Sequence, residues 1–118
     1  MQLTNSLNDQ LMAMSAHRYC LGRRSYIVSS CIEWIHEIWE QLIPNTQYVM
    51  LRDTIEALYN NNAGDPCDAL EWRKLALWMW DGLKEDKEAA DWLCTVLQYR
   101  GISTITGWLN DYKPDRGK

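Results

Sequence analysis

The sequence has no phenylalanine, and only three prolines and six glycines among its 118 residues. So few turn-forming residues leave little room for a many-stranded β protein. Aromatic side chains come instead from seven tryptophans and six tyrosines. Hydrophobic residues make up 47% and charged residues 24%, which is close to the globular average and argues against a disordered tail. The composition indicates one folded domain.

Targeting and membrane signals are also missing from the sequence. Residues 1–14 contain no basic run followed by an apolar run, so they do not resemble a signal peptide. No uncharged apolar stretch approaches the roughly 20 residues that span a bilayer. Cys20, Cys31, Cys67 and Cys94 are scattered, and none forms a Cys-x-x-Cys pair. These features predict free, buried thiols in a reducing compartment, and hence a cytoplasmic protein without membrane contact.

The chain lacks a surplus of positive charge. Its formal net charge is −4, the opposite sign from that expected of a chain that binds nucleic acid with its whole surface. The charge is unevenly placed: residues 1–30 and 99–118 each carry +2, whereas residues 31–60 and 61–98 each carry −4. Such an asymmetry steers protein partners. Direct binding to nucleic acid is therefore not expected, although the basic N-terminal part keeps it open as an alternative.

Apolar residues recur at helical spacing along most of the chain, which predicts an all-α, compact single-domain bundle of five to six helices over residues 1–112. Residues 113–118 are predicted to form a polar C-terminal tail. The predicted segments are a short helix near 7–14, then 25–42, 46–60, 66–83, 87–100, and a last helix around 105–109.

Local signals predict where these helices begin and end. Asn5 or Ser6 caps the first helix, and Ser25 caps the second, which Pro44 ends. Asn45 or Thr46 caps the third helix. Asp65 followed by Pro66 is a strong start signal for the fourth. Gly101 is placed to end the fifth in a left-handed conformation, and Ser103 or Thr104 caps the last.

No catalytic signature occurs: there is no glycine-rich phosphate loop and no G-x-S-x-G turn. Glu37-x-x-Glu40 and Asp53-x-x-Glu56 are the spacing by which helical bundles hold paired metals. They suggest a small all-helical metal-dependent nucleotide hydrolase as an alternative function. A solvated acidic face explains them better, since no phosphate-binding lysine accompanies them. We therefore expect no catalytic residue, no bound metal and no cofactor.

The segment 17–26 interrupts the helical pattern with a cluster of basic and aromatic residues. Arginine makes bidentate contacts with carboxylates and phosphates, and tyrosine adds a stacking face. We predict that Arg23, Arg24, Tyr19 and Tyr26 contact a partner, whereas Arg18 fixes the first helix to the fold. Two alternatives remain: that the arginines pair with acids of the same chain, such as Glu33, Glu37 and Glu40, or that the segment binds nucleic acid.

Trp72, Trp78 and Trp80 lie on one predicted helix but spread around it, since each residue turns the helix by about 100°. Either this helix is buried on two sides, or one tryptophan is an exposed anchor of the kind found at protein interfaces. The sequence leaves both open. Trp72 and Trp78 are accordingly predicted as partner-binding residues.

The stretch MSAHRYCLGRRSYIV, residues 14–28, resembles segments of small phage and prophage accessory proteins. The whole chain is similar in character to phage anti-defence proteins, including anti-CRISPR proteins, although no functional residue can be carried over from them. The resemblance implies a non-enzymatic protein-binding module. Such a module engages, and in some cases inhibits, a larger host protein or nucleic-acid-processing complex. The acidic middle of the chain would face a basic groove of that host partner.

Overall fold

A computed structural model describes residues 6–99 and 101–114, and within them the chain forms six α-helices and no strand. This confirms the predicted all-α bundle. The helices are α1 (Leu7–Cys20), α2 (Ser25–Ile38), α3 (Pro44–Tyr59), α4 (Pro66–Leu83), α5 (Lys87–Leu97) and α6 (Ile102–Asp111). A short 3₁₀ turn, Trp39–Gln41, follows α2.

Helix α4 lies at the centre and packs against α2, α3 and α6. Its buried side chains recur at helical spacing and lie on one broad face of the helix: Asp68, Ala69, Trp72, Leu75, Ala76, Met79, Trp80 and Leu83. Helix α1 packs on α2 and α3, and α5 packs on α3 and α6. Trp72 and Trp80 lie on this buried face, whereas Trp78 lies on the other side of the helix and is exposed. Of the two possibilities left open for these tryptophans, the structure therefore contains the exposed tryptophan and not a helix buried on two sides.

Two of the predicted helix starts have the expected capping geometry. The Ser6 hydroxyl accepts a hydrogen bond from the Asp9 amide at 3.2 Å. The Asp65 carboxylate accepts from the Asp68 amide at 2.9 Å, and Pro66 occupies the first turn of α4. Because each cap satisfies a backbone N–H that has no partner inside the helix, it both starts the helix and stabilises it.

Other predicted boundaries are wrong. Pro44 begins α3 rather than only ending α2, since proline is well tolerated in a first helical turn. Ile43 precedes it, and its backbone N–H is satisfied by the side-chain oxygen of Gln10 at 3.1 Å. The left-handed residue that ends α5 is Gln98, with φ 61°, and Gly101 instead precedes α6. The alternative cap Asn5, the predicted helix end at Arg100 and the tail residues 115–118 lie outside the described residues.

The prediction of four free thiols is also wrong. Cys20, the last residue of α1, forms a disulfide with Cys31 of α2, with 6.3 Å between their Cα atoms. The sharp turn between the two helices brings these cysteines together, although they are 11 residues apart in the chain. Their spacing in the sequence does not predict this disulfide. Cys67 and Cys94 are free, the first exposed and the second buried. The cytoplasmic assignment rested partly on four free thiols, and it stays a prediction.

The cap at Asp65 offers a direct test of how α4 begins. We expect Asp65→Ala to lower the free energy of unfolding by roughly 0.5–2 kcal/mol, because the Asp68 amide loses its acceptor. Asp65→Ser is the matched control, since a serine hydroxyl accepts the same bond. Urea denaturation followed by far-UV circular dichroism measures both variants. An alanine variant as stable as the serine variant would show that this cap contributes nothing.

Candidate functional site

The predicted break in segment 17–26 is narrower than expected. Helix α1 continues through His17, Arg18 and Tyr19 to Cys20, and only residues 21–24 form the turn before α2. The helix continues because His17 and Cys20, three residues apart, both face the interior and are buried there. The turn itself uses Gly22, whose φ of 84° is a conformation that glycine adopts without strain.

The exposed residues of this segment form what we call the arginine–tyrosine surface: Tyr19, Arg23, Arg24 and Tyr26. The guanidinium carbon of Arg23 lies 4.3 Å from the centre of the Tyr19 ring. The Arg23 Nε also donates to the Tyr19 carbonyl oxygen at 3.1 Å. Tyr19 is 64% exposed and Tyr26 77% exposed. Arg24 is the residue that precedes the first turn of α2.

The three arginines of the segment differ in their ion pairing. Arg18 Nε lies 2.8 Å from a carboxylate oxygen of Asp53, so it joins α1 to α3, not to the acidic α2. For Arg23 and Arg24, no carboxylate within residues 6–99 and 101–114 lies at salt-bridge distance. The alternative that these two arginines pair with Glu33, Glu37 or Glu40 therefore has no support from the described residues.

The loop between α3 and α4 packs against the turn between α1 and α2. An added Cβ on Gly64 would lie 2.8 Å from the Arg23 carbonyl oxygen and 2.9 Å from the Asp68 Cβ, and Gly64 has φ 85°. Only glycine allows this close approach. The turn and the loop enclose a shallow cleft of about 360 Å³. Its lining residues are Gly22, Arg23, Arg24, Asn61, Asn62, Gly64 and Asp65. The helices predicted over 46–60 and 66–83 leave this segment as a loop, but no local sequence signal predicts that it packs against the turn.

His17 belongs to the core and not to the surface. Its Nε2 lies 2.9 Å from the Thr54 hydroxyl oxygen, and that hydroxyl donates to the Met50 carbonyl oxygen at 2.9 Å. The histidine therefore donates from Nε2. Its Nδ1 is buried and has no hydrogen-bond partner among the described residues, which disfavours a second proton there and keeps the ring neutral. Burial lowers the pKa of His17 to about 4; the charge of Asp53 opposes this shift and that of Arg18 adds to it.

The two tryptophans predicted to contact a partner have different environments. Trp72 is fully buried, with its ring edge-on to His17 at 5.7 Å between centres, so its assignment to a partner-binding surface is wrong. Trp78 is 41% exposed and packs on His36 and Trp39, with ring centres 4.3 and 5.6 Å away. These neighbours lie at the far end of α2 from Arg24. The structure therefore does not bring Trp78 to the arginine–tyrosine surface.

Two of the four acidic residues considered as metal ligands, Asp53 and Glu56, are engaged by arginines. Asp53 contacts Arg18 and Arg52, and Glu56 lies 3.8 Å from Arg52. In the part of the chain that the structure describes, no three His, Cys, Asp or Glu side chains are grouped so that they could hold a metal ion. Cys20 is held in the disulfide with Cys31.

Comparison of the chain with protein-family models, with curated proteins and with solved structures finds no match. Among the described residues, no helix has the length and apolar character needed to cross a membrane.

The neutral state of His17 predicts how stability depends on pH. Its folded pKa of about 4 lies below the ordinary value of 6.5, so between these values the unfolded chain binds more protons. The contribution of His17 is therefore fully present above pH 6.5 and is lost as the pH falls towards 4, by roughly 3 kcal/mol in total. Urea denaturation at several pH values should show a smaller loss for His17→Gln than for the wild type. His36 is exposed, so the control His36→Gln should lose as much stability as the wild type when the pH is lowered. The same dependence of the free energy of unfolding on pH in all three proteins would contradict this account.

The close approach at Gly64 gives a second prediction. Gly64→Ala places a methyl group against the Arg23 backbone and forces a left-handed conformation, which alone costs roughly 1–2 kcal/mol. We expect it to lower the free energy of unfolding by at least that amount. In contrast, Gly82→Ala lies in α4 with open space around it and should raise stability by roughly 0.5–1 kcal/mol. Thermal and urea denaturation compare the two, and equal effects would show that the loop does not pack against the turn.

Proposed function

We propose that this chain is a non-enzymatic protein-binding module, and that the arginine–tyrosine surface is where it contacts a larger protein. The observation that carries the proposal is the pair Arg23 and Arg24, which have no carboxylate partner among the described residues and lie beside two exposed tyrosines. Arginine and tyrosine are among the residues that contribute most of the binding energy at protein interfaces.

The surface is also held in place before any partner arrives. Arg23 is stacked on Tyr19 and hydrogen-bonded to its carbonyl oxygen. The disulfide closes the segment that contains Arg23, Arg24 and Tyr26, and Gly64 packs against its backbone. A fixed surface loses less conformational entropy on binding than a mobile loop does. This favours recognition by a defined geometry over loose electrostatic attraction.

The chemistry of the surface suggests what the partner presents to it. Two guanidinium groups favour carboxylates on the partner, which arginine binds through paired hydrogen bonds. The acidic middle of the chain, residues 31–98, favours a basic groove on the same partner. Proteins that process nucleic acid have such grooves. The resemblance of residues 14–28 to phage accessory segments extends the proposal to a phage-derived protein whose partner is a host protein or complex.

The proposal predicts that binding and stability respond separately to mutation. Arg23→Ala combined with Arg24→Ala should leave the melting temperature within about a degree or two, because neither arginine has a described ion pair. The same double variant should weaken partner binding by at least about tenfold, since each lost charge-assisted contact contributes roughly 1.5–3 kcal/mol. The partner is captured from host lysate with immobilised wild-type protein, purified, and titrated by calorimetry.

Lys74→Ala combined with Lys84→Ala is the matched control. It also removes two positive charges, one from an exposed position on α4 and one from a partly exposed position just after it, each paired with a nearby acid. This control should bind the partner as the wild type does. A loss of binding in both double variants would indicate general charge attraction. A double arginine variant that melts early and still binds normally would contradict the proposal.

A further inference from the structure

A separate cleft lies where the first turns of α3 and α5 come together. Its volume is about 540 Å³, which falls in the range of small-ligand sites. Its lining residues are Pro44, Asn45, Tyr48, Val49, Asp86, Glu88, Ala89 and Trp92. Helix α3 has 16 residues and is therefore about 24 Å long. The loop after its other end supports the arginine–tyrosine surface, so this cleft is a distinct place on the molecule.

Two aromatic rings stand in the wall of this cleft. The centres of the Tyr48 and Trp92 rings are 6.4 Å apart and their planes are inclined by 37°. Trp92 is 38% exposed, so its ring remains open to a ligand that enters. Tryptophan and tyrosine faces carry negative electrostatic potential and attract cations, tryptophan most strongly.

Two carboxylates, Asp86 and Glu88, stand in the same wall, and none of the described residues that line the cleft is Lys, Arg or His. Neither acid takes part in an ion pair with another described residue, while the nearby Lys84 is bound to Asp81 at 2.9 Å. Lys87 stands between the two acids in the chain, but among the described residues it forms no ion pair with either of them.

Asp86 is fixed in position by hydrogen bonds. The Tyr48 hydroxyl donates to its Oδ2 at 2.6 Å, and the Ala89 amide donates to its Oδ1 at 3.2 Å. The bond from Tyr48, followed by that from the backbone, lowers the pKa of Asp86, which keeps it ionised. The Ala89 bond caps α5, and that role alone explains an acid at this position. It does not explain the open volume or the two aromatic walls that accompany it.

We propose that this cleft binds an organic cation, an ammonium or guanidinium group. The Tyr48 and Trp92 rings would lie on one side of the cation and the carboxylates of Asp86 and Glu88 on the other. The aromatic faces contact the alkyl or planar part of the cation, and the carboxylates balance its charge. An anion is disfavoured by both acids, and a neutral apolar group gains nothing from them. The proposal does not depend on the arginine–tyrosine surface or on the identity of its partner.

Tetramethylammonium chloride and tert-butyl alcohol, which are similar in size, provide the test because only the first is charged. We expect tetramethylammonium to shift the Trp92 indole N–H and the Ala89 amide signals saturably in proton–nitrogen NMR spectra. Tert-butyl alcohol should bind more weakly by roughly two- to thirtyfold, the range that cation–π attraction provides. Sodium chloride at the same ionic strength corrects for general salt effects. Equal binding of the two probes, or shifts that do not saturate, would overturn the proposal.

Three variants assign the effect to the cleft. Trp92→Leu keeps apolar volume but removes the aromatic face, and it should reduce tetramethylammonium binding by about the same factor that separates the two probes. Glu88→Gln should weaken binding severalfold, whereas Glu85→Gln, an exposed acid outside the lining, should leave it unchanged. Circular dichroism verifies that each variant is folded. Binding that is indifferent to both Trp92→Leu and Glu88→Gln would overturn the proposal.

Two further probes distinguish the source of the cation. Nα-acetyl-lysine-N-methylamide keeps a charged lysine side chain, as a partner protein would present it, and putrescine presents a free amine. Tighter binding of the blocked lysine assigns the cleft to a basic side chain, and tighter binding of putrescine assigns it to a free amine. Both results support an organic-cation site, and binding of neither probe, together with no effect of tetramethylammonium, would overturn it.

Discussion

The packing of three helices against the buried face of α4 is the constraint on which the rest of the structure depends. Helices α2, α3 and α6 pack against it, and Trp72, Met79 and Trp80 are almost entirely removed from solvent. Large aromatic side chains bury more area than any others, so this helix supplies much of the apolar surface of the core. Trp80 also donates to the Thr106 hydroxyl oxygen at 2.8 Å, which fixes α6 on the same helix. Because α4 begins at Pro66, its position also sets the loop that lies against residues 22–24.

Polar contacts fix α1, whose inner face is unusual. Its buried residues are Gln10, Ala13, His17 and Cys20, while its leucines at positions 7 and 11 are exposed. The helix is held by the hydrogen bonds of Gln10 and His17 and by the covalent bond of Cys20, more than by an apolar stripe. Hydrogen bonds are directional, and they therefore set the rotation of α1 about its axis. That rotation leaves Tyr19 facing solvent, where Arg23 can stack on it.

The sequence predicted what short-range chemistry determines. Asp65 with Pro66 marked the start of α4, and the prediction that Arg23 and Arg24 contact a partner agrees with the absence of an ion pair for either among the described residues. What failed depends on contacts between distant residues. The Cys20–Cys31 bond, the burial of Trp72 and the approach of Gly64 to the Arg23 backbone all follow from how the helices pack. The polar His17 on the inner face of α1 also hid the second half of this helix from periodicity, since histidine does not count as apolar.

The Cys20–Cys31 disulfide closes the end of α1, the turn and the first part of α2 into a covalent ring. Residues 21–30 lie within the ring that it forms, and among them are Arg23, Arg24 and Tyr26. A protease that cuts the chain after Arg23 or Arg24 would open this ring without releasing either piece. The nicked protein would gain the mass of one water molecule and would separate into two fragments only after reduction. Arg23, Arg24 and Tyr26 of the arginine–tyrosine surface therefore lie in a part of the chain that can be cleaved while the two fragments stay joined by the disulfide.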